Sequence, residues 1–145
     1  MNVAPSQAGV SVRAFILLAL ALWLLVSACA KLAALDVFQV AMEAHQVVPQ
    51  HLIQTAVWSI PVVELAVSSV AIWRLTTSGS LRGAALPLML AFAALTVYTG
   101  ALSIRPPEEP SGCGCGLSRA PVEQWWPLTA RNVVCMVLAL GAAAG

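Results

Sequence analysis

Four stretches of the chain run for about 20 residues each with almost no charge, and shorter, more polar intervals separate them. A helix that crosses the roughly 30 Å hydrocarbon core of a bilayer needs about 20 such residues. The first stretch, about 13–31, is free of charge between Arg13 and Lys31, and the second, about 52–73, is interrupted only by Glu64. The third, about 83–104, has no charge at all, and the fourth, about 127–145, has Arg131 in its first turns. The pattern predicts an all-α membrane protein, a four-transmembrane-helix bundle forming a single domain over 1–145. Pro127 suits the first turn of the last helix, where its missing N–H costs nothing. Trp73 and the Trp125–Trp126 pair sit at span borders, where interfacial aromatic anchors are expected.

The interval between the first two spans carries a different period. Asp36, Gln39, Glu43 and Gln46 recur at steps of three and four, while Leu32, Leu35, Phe38, Val40 and Met42 cover most of the remainder. This predicts an amphipathic helix lying at the membrane surface after helix 1, ended by Pro49. His45 and His51, near its end, read as polar surface rather than as metal ligands. The later interval, "RPPEEPSGCGCGLSRAPVEQ", is rich in Pro and Gly and predicts irregular structure.

Composition supports the membrane reading, with 60% hydrophobic and 9% charged residues, where soluble domains carry about 25% charged. A formal charge of +1 without a basic cluster argues against nucleic-acid binding. The start of the chain has a rival reading, because Arg13, an apolar run and Ala28-Cys29-Ala30 resemble a cleaved secretory or lipoprotein signal; a retained first helix is preferred. With four spans both termini share one side, which carries Arg13, Arg74 and Arg82 and no acidic residue. The positive-inside rule then places both termini in the cytoplasm of a bacterial-type inner membrane and the 105–126 loop outside.

The outside loop carries Cys113 and Cys115, one residue apart and flanked by Gly112, Gly114 and Gly116. Such a pair can close a small, strained disulfide ring that exchanges readily, and the glycines supply the backbone freedom it needs. A redox-active dithiol is the favoured reading; a static clasp on the loop and a two-thiolate site for a soft metal ion are the alternatives. No paired Cys or His motif completes a four-ligand zinc set, so no metal is assigned. Cys29 and Cys135 fall toward the same membrane face and could relay electrons, although buried cysteine is common in apolar helices.

Charge inside the spans is costly and calls for a partner. Glu64 lies near the middle of the second span, with Pro61 and Ser68 on its face, and Lys31 and Arg131 are the candidate partners. The three form either an ion pair that fixes helix packing or a proton- or redox-linked polar core.

In order along the chain, "ACAKL", Phe38, Pro49, "PVVEL" at 61–65, the outer "CGCG" and "ARN" at 130–132 resemble the MauE/DoxX-like family of small membrane proteins, in its methylamine-utilisation MauE branch. The resemblance implies a role in disulfide formation or maturation of exported proteins, alongside a thioredoxin-like partner or an exported client. It implies Cys113 and Cys115 as the redox pair and Lys31, Glu64 and Arg131 as the polar core. Gly116 departs from that family's loop, which often has a bulky residue after the second cysteine. The function expected is thiol–disulfide exchange at the outer face. No cysteine lies near the cytoplasmic face, which favours an oxidising or partner-passing role, and an oxidant needs an electron sink such as a membrane quinone. A non-catalytic scaffold for an exported enzyme and a small proton-linked transporter using Glu64 are the alternatives.

Overall fold

The computed structural model describes residues 7–108, 112 and 122–144. Five α-helices follow one another: α1 (Gln7–Ala33), α2 (Leu35–His45), α3 (Ile53–Thr77), α4 (Leu81–Ile104) and α5 (Trp126–Ala143). A single 3-10 turn, Gln50–Leu52, leads into α3. Four of these elements are long and apolar enough to cross a membrane: Gly9–Ala33, Gln50–Thr77, Leu81–Ile104 and Trp126–Ala143. The outer surface of the bundle is itself oily, with Phe15, Leu90, Val97 and Ile104 all more than half exposed. Lipid solvates such a surface, whereas every backbone polar group at that depth must be satisfied inside a helix. The chain is a multi-pass, all-helical membrane protein.

The bundle is assembled from two principal pairs, α1 on α3 and α4 on α5, closed by contacts of α3 with α4 and of α1 with α5. Its main core interleaves Leu17, Leu20, Ala21 and Leu24 of α1 with Ala71 of α3, Ala84, Leu88 and Phe92 of α4, and Ala139 of α5. Alanine recurs at these crossings because apolar side chains gain little by leaving lipid for protein. Close backbone approach, with its dispersion contacts, holds the helices together instead. The turn from α3 to α4 needs Gly79, which sits in the left-handed region at φ +59°. Ser80 then caps α4 by accepting from the Gly83 backbone N–H.

Helix α2 has two faces. Phe38 and Met42 pack with Ile53 and Val57 of α3 in a second, smaller core, while Asp36, Val40 and Glu43 are exposed. Gln39 donates to Glu43 one turn on at 2.9 Å. The helix stops at His45, and Gln46 in the left-handed conformation (φ 52°) turns the chain away before Pro49 is reached.

Two expectations are corrected. His45 is not polar surface, being only 4% exposed, and Trp125 is not an interfacial anchor, being equally buried. The two rings explain each other, meeting edge to face with centroids 4.8 Å apart. Trp126, by contrast, is exposed, and so is Trp73, whose ring lies under the Arg74 guanidinium.

Candidate functional site

Glu64 finds its partner in Lys31. The Lys31 Nζ donates to both carboxylate oxygens, at 2.6 Å to Oε2, and both residues are almost fully buried. The pairing follows from local sequence on both sides. Lys31 occupies the last turn of α1, where a cation is favoured by the helix dipole, and its long side chain can reach inward from there. Glu64 is on the buried face of α3 with Pro61 and Ser68. Ser68 Oγ donates to the Glu64 carbonyl at 2.8 Å, so this face is satisfied along its length. The Lys31 ammonium also lies 5.6 Å from the centre of the Phe38 ring, which brings α2 into the cluster.

A cavity of about 290 Å³ opens beside the pair, and Arg131 reaches it from α5. Its guanidinium packs over the Trp23 ring at 5.5 Å and donates to Asn132 Oδ1 at 3.4 Å. Its Nε is buried and makes no hydrogen bond among the described residues. Asn132, 2% exposed, donates in turn to Thr99 Oγ1 of α4. The cavity thus holds two cations against one carboxylate, inside walls formed largely by Leu24, Ile60, Phe92 and Leu95. Arg131 is half-buried, positive charge in excess of its partners is costly in such apolar surroundings, and a ligand carrying electron-rich oxygen atoms would offset that cost.

At its α2 side the cavity meets a second constellation through Tyr98 and Met42, which belong to both. The Tyr98 hydroxyl is hydrogen-bonded to His45 Nδ1, and His45 Nε2 lies 3.0 Å from the Gly112 carbonyl. A carbonyl can only accept, so Nε2 carries the proton and Nδ1 of the neutral ring accepts from Tyr98. Met42 Sδ sits 3.3 Å from the same hydroxyl. Burial disfavours the imidazolium and holds the His45 pKa below its ordinary 6.5, although the Gly112 carbonyl pulls the other way. This node ties α2, α4 and the loop residue that precedes Cys113 in the chain.

Of the residues singled out from the sequence, Lys31, Glu64 and Arg131 share one cavity. Cys113 and Cys115 lie outside the described residues. Cys29 is exposed and Cys135 half-buried, and both are free thiols; Cys135 packs against the main core. The sequence reading took His45 as polar surface and Asn132 only as part of the "ARN" run, and it passed over Tyr98 and Thr99. Two signals could have found some of them: Tyr98 is the single tyrosine in the chain, placed in a charge-free span, and Asn132 adjoins Arg131.

No curated protein and no solved structure matches the chain. A family profile described as methylamine utilisation protein MauE matches residues 10–145. That match takes in every span and the whole polar cluster, and on it this four-span membrane protein belongs to the MauE family.

Proposed function

We propose that the protein carries out thiol–disulfide exchange at the outer face of a bacterial inner membrane, supporting the maturation of exported proteins through Cys113 and Cys115. The observation that carries this reading is the tether at Gly112. A buried, neutral histidine holds the carbonyl of the residue next to Cys113, and the same histidine is bonded to a tyrosine in the cavity wall. The anchor fixes where the cysteine loop begins, and burying an imidazole costs free energy unless its nitrogens are satisfied, as both are here. The spacing Cys-Gly-Cys supports the same reading, because a strained, exposed bridge exchanges more readily than a structural one.

In the oxidising direction, a thiolate of a client or of a thioredoxin-like partner attacks one sulfur of the Cys113–Cys115 bridge. The other sulfur leaves as thiolate. The second client thiolate then resolves the mixed disulfide, so that the client gains a disulfide and this protein holds the two electrons as a dithiol. Arg74 in the last turn of α3 and Arg82 in the first turn of α4 flank the short connection between them and favour the orientation this requires, with both termini inside and the cysteine loop outside. The exposed acidic and apolar positions of α2 suit a helix lying along the outer membrane surface.

The test is to replace Cys113 and Cys115 by serine in a background already lacking Cys29 and Cys135. The redox state of exported dithiol proteins is then read by thiol labelling. Loss of client oxidation, with the protein still present in the membrane, is the expected result. Full activity in the double-serine variant, kept also in Glu64→Gln, would leave a scaffold role. Retained activity there combined with loss in Glu64→Gln would point to a proton-linked transporter.

A further inference from the structure

The cavity has chemistry that pairing alone does not account for. Lys31 is neutralised by Glu64, yet Arg131 brings a further positive charge with a buried Nε that no described residue uses. A polar cluster that served only to lock helices would be satisfied internally. Arg131 lines a space with aromatic walls, from Trp23, Phe38, Phe92 and Tyr98. Its volume of about 290 Å³ falls just short of the roughly 300–1,000 Å³ of small-molecule sites. It therefore has room for one ring-sized head and not for a whole lipid.

The cavity also opens toward the bilayer. Trp23, Val63 and Ala94 line it, yet all three are exposed on the outer surface of membrane-spanning helices. Each is ten residues from the end of its helix, at Ala33, Ile53 and Ile104 respectively. At 1.5 Å per residue that is about 15 Å of depth, which is near the middle of a hydrocarbon core of about 30 Å. The occupant therefore reaches the site through lipid. It presents acceptor oxygens to Arg131, stacks a flat ring among aromatic side chains, and leaves an apolar tail outside.

We propose that this cavity binds the head ring of a membrane quinone, with Arg131 as the principal donor to a ring oxygen and the isoprenoid tail left in the bilayer. The proposal rests on the thiol–disulfide reading for its purpose. Closing the Cys113–Cys115 bridge releases two electrons and two protons, and a quinone that accepts both becomes the quinol. An acidic lipid head shares the oxygen chemistry but not the flat ring, so the aromatic walls favour the quinone.

The experiment titrates decylubiquinone into the purified, detergent-solubilised full chain and follows intrinsic tryptophan fluorescence. Saturable quenching is expected in the native protein, with most of the signal lost in Trp23→Phe. Arg131→Gln should bind about tenfold more weakly or worse, the loss that goes with one charge-assisted hydrogen bond. Ala94→Phe narrows the mouth from an exposed position and should weaken binding without disturbing the core, so the test survives if Arg131→Gln fails to fold. Quenching that does not saturate and is the same in all four proteins would show partition into the micelle and overturn the proposal. Displacement by decanoate as readily as by a second quinone would make this an anion site and overturn it too. Binding is measured again in the Cys113→Ser, Cys115→Ser protein, where it should persist. Quinone binding without cysteine-dependent client oxidation would sink the exchange reading alone, and the reverse result would sink the quinone site alone.

Discussion

In the half of the bundle around Leu17, Ala21, Ala84 and Leu88, the helices meet through aliphatic and small side chains that are fully buried. In the half around Lys31, Glu64, Thr99 and Asn132, the same helices bury charge and hydrogen-bonding groups beside a cavity. Helix α1 serves both, changing character between Leu24 and Ser27. The first half is held by close packing, which in lipid needs small residues and good fit but no particular chemistry. The second gives up packing for polar groups that constrain one another strongly, since each is costly when left unpaired. Stability can be drawn from the dry half while the polar half stays open enough to admit a ligand.

The largest effect should come from breaking the ion pair. Lys31→Met leaves the Glu64 carboxylate buried without its cation, and a loss of about 3–5 kcal/mol is expected, read from unfolding in detergent. The double variant Lys31→Met, Glu64→Met should recover most of it, because two apolar side chains need no pairing. If the single variant were as stable as the native protein, Lys31 and Glu64 would not be coupled and the polar half would owe its order to packing as well.

A truncation in the dry half gives the counterpart. Leu88→Ala should cost about 2–5 kcal/mol through the space it leaves, yet the decylubiquinone affinity of the folded protein should stay within about twofold, or about 0.4 kcal/mol. Loss of ligand affinity in step with stability would erase the distinction between the halves.

The smallest effect concerns His45 and pH. In the folded protein its pKa lies below 6.5 because of burial, so the unfolded chain binds a proton that the native state excludes. The contribution of neutral His45 is therefore complete above about pH 6.5 and is lost progressively as pH falls below that, toward the lowered native value. The melting temperature in detergent should fall as pH drops below about 6.5, and the part due to His45 should vanish in His45→Phe. That variant should also lose about 1–3 kcal/mol at neutral pH, from the acceptor left unpaired at Gly112 and the Tyr98 donor left with only the weak acceptor Met42 Sδ. An unchanged pH slope in His45→Phe would assign the titration elsewhere.

Hydropathy was enough to find four spans and the short helix between the first two, because a bilayer demands long, uncharged, internally bonded segments wherever the chain crosses it. It also marked Lys31, Glu64 and Arg131, since a charge within an apolar run is visible without knowing its neighbours. The identity of the pair was not visible: Glu64 had two candidate cations, and helix packing gave it Lys31 and left Arg131 over Trp23. His45 was misjudged for the same reason. Its sequence neighbours are those of a surface helix, and its burial comes from Tyr98 and Trp125, more than fifty residues away. Span-forming tendency is carried by each segment alone, whereas the cavity and its excess positive charge come from side chains on helices that meet only when the bundle closes.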